Sequence, residues 1–162
     1  MTRLYCLPPI IDERARVLIL GSFPSEASLA AKHYYAHPQN QFWRVMSALL
    51  GSDLTGMDYA SKQAALKAGG IAVWDIYASC ERDGSLDSAI RQGAYNDFTR
   101  LRLWAPALEK IGFNGLAAAR PRRLVEGLGY EVCQLPSTSP AHASRSLADK
   151  VKSWRDGLGI TD

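Results

Sequence analysis

Four short apolar runs punctuate the chain: RVLILG at 16–21, IAVWDIY at 71–77, KIGFNG at 110–115 and YEVCQLPS at 130–137. The first two are nearly continuous in apolar and β-branched residues, the pattern of strands buried on both faces of a parallel sheet. The other two carry the pattern more weakly and are read as strands of the same sheet. Between them the apolar spacing becomes helical. In NQFWRVMSALLG, Phe42, Val45, Met46, Leu49 and Leu50 share one helical face and Gly51 stops the helix, while DYASKQAALKAGG ends at a double glycine. NDFTRLRLW predicts a helix with Asn96 as N-cap and Pro106 limiting its extent. LAAARPRRLVEGLG and SRSLADKVKSWRDGLG predict two more, each running to a glycine, with Pro121 restarting or kinking the first.

Strand–helix alternation of this kind specifies an α/β fold with a parallel sheet and right-handed crossovers, and 162 residues fit one domain, 1–162, better than two. Ligands of such sheets sit beyond the carboxyl ends of the strands. The functional loops are therefore expected to start at Ser22, Asp75, Asn114 and Pro136.

Composition narrows the setting. At 47% hydrophobic residues the chain can bury a sizeable core, yet no window of about 18 uninterrupted apolar residues exists and the N-terminus lacks a secretory pattern. The expectation is a soluble, cytoplasmic protein without membrane contact. Cys6, Cys80 and Cys133 are far apart with no C-x-x-C spacing, which argues against a disulfide framework, a zinc site or an iron–sulfur cluster. A formal charge of +3 permits a polyanionic partner without demanding one.

The loop after the first strand, GSFPSEASLAAKHYYAHPQN, is long and aromatic for a simple connection, so it is expected to bind something. It contains neither G-x-x-x-x-G-K-[ST] nor G-x-G-x-x-G, so phosphate cradling of those kinds is unsupported. Gly21 lets the backbone leave the strand tightly and Pro24 stiffens the turn. By helical phase Phe42 and Trp43 are core. Asn40 has two readings, an N-cap for the next helix or a catalytic amide. Asp75 is either a catalytic carboxylate or an acceptor for neighbouring N–H groups. Asn114, before a glycine, is turn chemistry or a donor–acceptor pair for a purine edge. LPSTSPAHASRS reads as a proline-stiffened polar loop, with Arg145, Lys150 and Lys152 adding positive charge or a solvated helix face.

Gly21-Ser-Phe-Pro-Ser25 followed by Tyr35-Ala-His-Pro-Gln-Asn-Gln-Phe-Trp43 resembles the first motif of the uracil-DNA glycosylase superfamily, most of all its hypoxanthine-removing branch. The mismatch branch of that family carries a catalytic Asn where this chain has Phe23. The hypoxanthine branch uses one further along, which falls on Asn40. WD followed by R-x-GSLDS, from Asp75 through Arg82 to Asp87, and the FNG ending at Gly115 extend the likeness. The fourth loop is similar to the family's second motif, H-P-S-P or N-P-S-G, but begins with Leu135.

The resemblance implies a three-layer αβα fold with a central, mainly parallel four-stranded sheet. It also implies a monofunctional DNA glycosylase that works as a monomer on DNA containing a deaminated base, without metal or cofactor. Asn40 would hold the attacking water, with Phe23, Tyr35, Asp75 and Asn114 around the base. Ser25, Ser137, Ser139, Pro140 and His142 would touch DNA, Pro140 or His142 as the wedge. Tyr35 takes the place of the base-stacking aromatic, with Tyr34 beside it. No lysine lies in the matched motifs, and Lys32 nearby reads as a surface lysine, which favours water as the nucleophile. A uracil- or thymine-mismatch glycosylase is the alternative enzyme. A catalytically silent nucleic-acid- or nucleotide-binding module is the alternative class.

Overall fold

The computed structural model describes residues 2–141 and 144–161. Its elements, in chain order, are β1 (Arg3–Tyr5), β2 (Val17–Gly21), α1 (Glu26–Ala31), α2 (Phe42–Leu50), α3 (Tyr59–Ala68), β3 (Ile71–Asp75), β4 (Tyr77–Glu81), β5 (Arg91–Tyr95), α4 (Leu101–Trp104), β6 (Lys110–Asn114), α5 (Arg122–Gly127), β7 (Glu131–Leu135) and α6 (Leu147–Leu158). The four apolar runs form one parallel sheet in the order β3-β2-β6-β7.

Alternation along these strands divides the core in two. Leu18, Leu20, Ala72, Trp74, Ile111 and Phe113 pack on one face with Leu101 of α4 and Val125 of α5. Ile19, Ile71, Val73 and Leu135 pack on the other with Phe42, Val45, Met46 and Leu49 of α2, Leu66 of α3 and Trp154 of α6. Every residue of β3 is buried, as a sheet covered on both sides requires. Phe42 and Trp43 are core, as their helical phase predicts.

Three local expectations need correction. The second apolar run does not continue to 77 in one sheet. β3 stops at Asp75, the Ile76 and Tyr77 N–H groups donate to the Gly21 and Ser22 carbonyls, and Tyr77 opens β4 of a separate antiparallel sheet, β1-β4-β5. Asn96 is not a helix cap. Asp97 takes that role by accepting the Thr99 N–H at 3.1 Å, and the Asn96 amide donates instead to the Asp75 carbonyl at 2.7 Å. Finally, the long first loop contains a helix, the six-residue α1.

Register decides what the loops share. Gly21 lies directly opposite Asp75, and Asn114 opposite Leu135, so the four strand ends finish flush and launch their loops toward a common space.

Candidate active site

A cavity of about 500 Å³ occupies that space, lined by residues of all four loops. Its position beyond the carboxyl ends of the strands is the one expected for a ligand of a parallel sheet.

The first loop is fixed by its own short side chains. Ser25 caps α1, its Oγ accepting the Ser28 N–H at 3.1 Å. Ser28 Oγ accepts the Ala36 N–H at 3.0 Å, folding the loop back just after Tyr35, whose φ of 54° makes the sharp reversal. His37 Nδ1 accepts the Gln39 N–H at 3.1 Å, and the Asn40 N–H donates to the His37 carbonyl. Asn40 Oδ1 then accepts the Phe42 N–H at 2.9 Å. Gln41 stands at the formal cap position with no capping bond of its own, so Asn40, one residue earlier, satisfies the helix start. The cap reading of Asn40 holds, since its Oδ1 orients the start of the helix, and the residue also lines the cavity.

Tyr35 also lines the cavity, but its ring is stacked on Phe42 with centroids 4.1 Å apart. Burial pushes its phenol well above the ordinary range, with the Asp75 charge adding to this, so the hydroxyl stays protonated. Tyr34, its neighbour, is core; it is buried and its hydroxyl donates to the Leu7 carbonyl at 3.1 Å.

The second loop acts as a clamp on the first. Arg82 Nη2 donates to the Pro24 carbonyl at 2.5 Å and its guanidinium lies 5.3 Å over the Phe23 ring. Ser85 Oγ accepts the Glu26 N–H at 2.9 Å, and Ser22 Oγ donates to Asp87 Oδ1 at 2.5 Å. The R-x-GSLDS run is thereby explained: each of its polar side chains at 82, 85 and 87 holds a different residue of 22–26.

Behind this clamp sits Asp75. It is buried, its Oδ2 has no hydrogen-bond partner, and its carboxyl is pushed up to about 7 by burial and then by the Asp87 charge, against the opposing Arg82 charge. Only a glycine at 21 admits this arrangement, because a Cβ there would lie 2.6 Å from Asp75 Oδ1 and 2.9 Å from the Tyr35 hydroxyl. Gly21→Ala is therefore expected to displace the two cavity groups and to cost about 1–3 kcal/mol, read by denaturant unfolding. An unchanged midpoint would show that the strand end yields freely.

The third and fourth loops are joined by Asn114. Its Oδ1 accepts the Thr138 N–H at 3.0 Å, and its Nδ2 donates to Thr138 Oγ1 at 3.0 Å and to the Tyr35 hydroxyl at 3.3 Å. Asn114, read as turn chemistry or as a partner for a purine edge, braces the cavity wall here and keeps one Oδ1 lone pair. Thr138 is fully buried, and its carbonyl accepts the Gln41 N–H at 2.9 Å, tying the fourth loop to the start of α2. Ser137 Oγ accepts the Ser139 N–H and Ser139 Oγ accepts the Ala141 N–H, so both serines shape the turn that carries exposed Pro140. His142 lies outside the described residues. Lys150, read as surface charge, is buried, and its Nζ donates to Gln41 Oε1 at 2.8 Å.

Residues 8–156 match the profile of the Uracil DNA glycosylase superfamily. The chain belongs to that superfamily. It is 36% identical over 151 residues to a protein of Methanosarcina barkeri (strain Fusaro / DSM 804) named Hypoxanthine DNA glycosylase, covering 93% of this chain and 95% of that one. A protein of the same name from Methanosarcina acetivorans is 41% identical over 147 residues, covering 91% and 92%. The solution NMR structure of a Methanosarcina acetivorans protein, described as a candidate uracil DNA glycosylase, superposes with a TM-score of 0.86 at 36% identity, covering 97% of both chains.

In this member of the superfamily the cavity brings together Phe23, Ser25, Tyr35, Asn40, Asp75, Asn114, Ser137, Ser139 and Pro140, all singled out from sequence. Reading the sequence missed Ser28 and Thr138, whose hydroxyls organise the first and fourth loops. Both lie inside stretches noted for their composition, but a serine or threonine carries no signal of which backbone group it will meet. Among the described residues no His, Cys, Asp and Glu side chains are gathered to hold a metal ion.

Proposed function

We propose that this protein is a monofunctional DNA glycosylase that accepts an extruded hypoxanthine nucleotide and hydrolyses its N-glycosidic bond, leaving an abasic site. The observation that carries the reading is the Asn40 amide, locked by the Phe42 N–H at the wall of a cavity that all four strand-end loops build. Two relatives named for hypoxanthine, similar along more than nine-tenths of the chain, support the same substrate.

The chemistry suits these residues. A base within a duplex is out of reach, so the nucleotide must leave the stack, at a cost of a few kcal/mol that is lowest for a mispaired base. As the C1′–N9 bond breaks, its electron pair departs with the purine and the sugar becomes cation-like. Asn40 Oδ1 keeps a second lone pair beyond the one given to Phe42, and it accepts a hydrogen from the water that attacks C1′. A neutral amide orients that water without taking its proton, which ends on the departing purine anion, so the products are a C1′ hydroxyl and neutral hypoxanthine. Tyr35 and Asn114 hold the wall in place, and the Ser137–Pro140 turn faces the DNA backbone.

A duplex panel tests the substrate. Oligonucleotides carrying a single deoxyinosine, deoxyuridine or mismatched thymidine, incubated with the protein and then treated with alkali, are expected to break at deoxyinosine most rapidly. Breakage at uracil with deoxyinosine intact would establish the uracil-type reading instead, which the name of the solved relative favours.

A further inference from the structure

The glycosylase reading leaves open which group donates to the base, since both Asn114 Nδ2 hydrogens are already given to Thr138 Oγ1 and the Tyr35 hydroxyl. Asp75 is free for that work. It lines the cavity from the end of β3, its Oδ2 has no partner, and it forms no ion pair among the described residues. Arg82, the cation that acts on it, donates instead to the Pro24 carbonyl. Asp75 also lies where the absent Gly21 side chain leaves room and where the Tyr35 hydroxyl ends.

A buried carboxylate with no donor on its oxygens is costly, and the neutral acid is the form such a site favours. A neutral carboxyl presents one donor and one acceptor on adjacent oxygens. The lactam edge of a nucleobase, a ring N–H beside a ring C=O, presents the complementary acceptor and donor.

We propose that Asp75 holds the extruded base as a neutral carboxyl, donating its O–H to the ring carbonyl oxygen and accepting the adjacent ring N–H, so that the site takes bases with a lactam edge. For hypoxanthine these atoms are O6 and N1–H. The proposal rests on the glycosylase reading and adds to it the group that recognises the base and the protonation state in which it does so.

The electrostatic surroundings set the pH range. Asp87 and Arg82 from the second loop act on Asp75 with opposite signs, while Tyr35 and Tyr34 from the first loop, Tyr59 of α3 and Cys6 after β1 each feel its charge. Burial followed by the Asp87 charge outweighs Arg82 and raises the carboxyl to about 7. The donating form is therefore present below neutrality and is lost as pH rises through that value.

Single-turnover release of hypoxanthine from a deoxyinosine duplex, measured from about pH 6 to about pH 8.5 with thermal melts at each pH, tests this. The wild-type rate is expected to fall about 30-fold across that range as one proton is lost. Asp75→Asn offers the same donor and acceptor with no proton to lose, so its rate is expected to vary less than about threefold with pH. Asp75→Leu is expected to be slower than Asp75→Asn at every pH while still melting cooperatively. Titration of the substrate's own N1–H affects all three proteins alike and drops out of the comparison. A wild-type rate that is flat or rises with pH, an Asp75→Asn rate that falls in parallel with it, or an Asp75→Leu rate equal to the wild type would overturn the assignment while leaving the glycosylase reading intact. Absence of hypoxanthine release by the wild type at every pH would overturn both.

Discussion

Asn40→Ala is expected to slow hypoxanthine release by about 10²–10³-fold, the loss typical when one preorganised hydrogen-bonding group is removed from a hydrolytic transition state. The variant should also lose about 1 kcal/mol of stability, because the Phe42 N–H then has no side-chain acceptor at the head of α2. The two effects separate with Asn40→Ser. Serine is a good acceptor at a helix start, so this variant should melt close to the wild type, yet it lacks the amide and should remain nearly as slow as Ala. Single-turnover rates and thermal melts of the three proteins make the comparison. Wild-type catalysis by Asn40→Ser would mean that Asn40 only caps the helix.

Asn114→Ala is expected to cost about 3–5 kcal/mol, a large share of the roughly 5–15 kcal/mol that holds a domain of this size together. One side chain satisfies three groups here, the Thr138 N–H, Thr138 Oγ1 and the Tyr35 hydroxyl. Thr138 is fully buried, so truncation leaves its N–H without a replacement partner, at about 1–3 kcal/mol for a group of this kind. Thr138→Val removes only the hydroxyl while keeping the shape, and is expected to cost about 1 kcal/mol. Urea unfolding of both variants reads the difference. If Asn114→Ala lies within about 1 kcal/mol of the wild type, the network does not hold the third and fourth loops together.

The parallel sheet was legible chiefly through β2 and β3, which are buried on both faces and leave the apolar runs VLIL and IAVW, whereas partly exposed β7 carries the pattern more weakly. The antiparallel sheet was not. Of its edge strands, β1 has only three residues and β5, Arg91–Tyr95, is exposed along its whole length, so no apolar pattern marks them. The site was legible as a set of loops, because strand ends that finish flush must launch their connections together, and Gly21, Asp75 and Asn114 each close a strand. What each polar side chain touches was not legible. Asn114 could face a ligand or another loop with the same residue type, and the choice depends on Thr138, 24 positions away. Lys150 shows the same limit in reverse: on a helix rich in charge it reads as solvated, yet the packing of α6 under the first loop buries it against Gln41.

The proposed base release rests on water reaching C1′ of a nucleotide held in the cavity, and product chemistry tests that most directly. Chromatography of a deoxyinosine duplex incubated with the protein should yield free hypoxanthine in equal amount to alkali-labile abasic sites, with the strand intact before alkali. Abasic sites without free hypoxanthine, or strand breaks that appear before alkali, would contradict hydrolysis of the N-glycosidic bond by this protein.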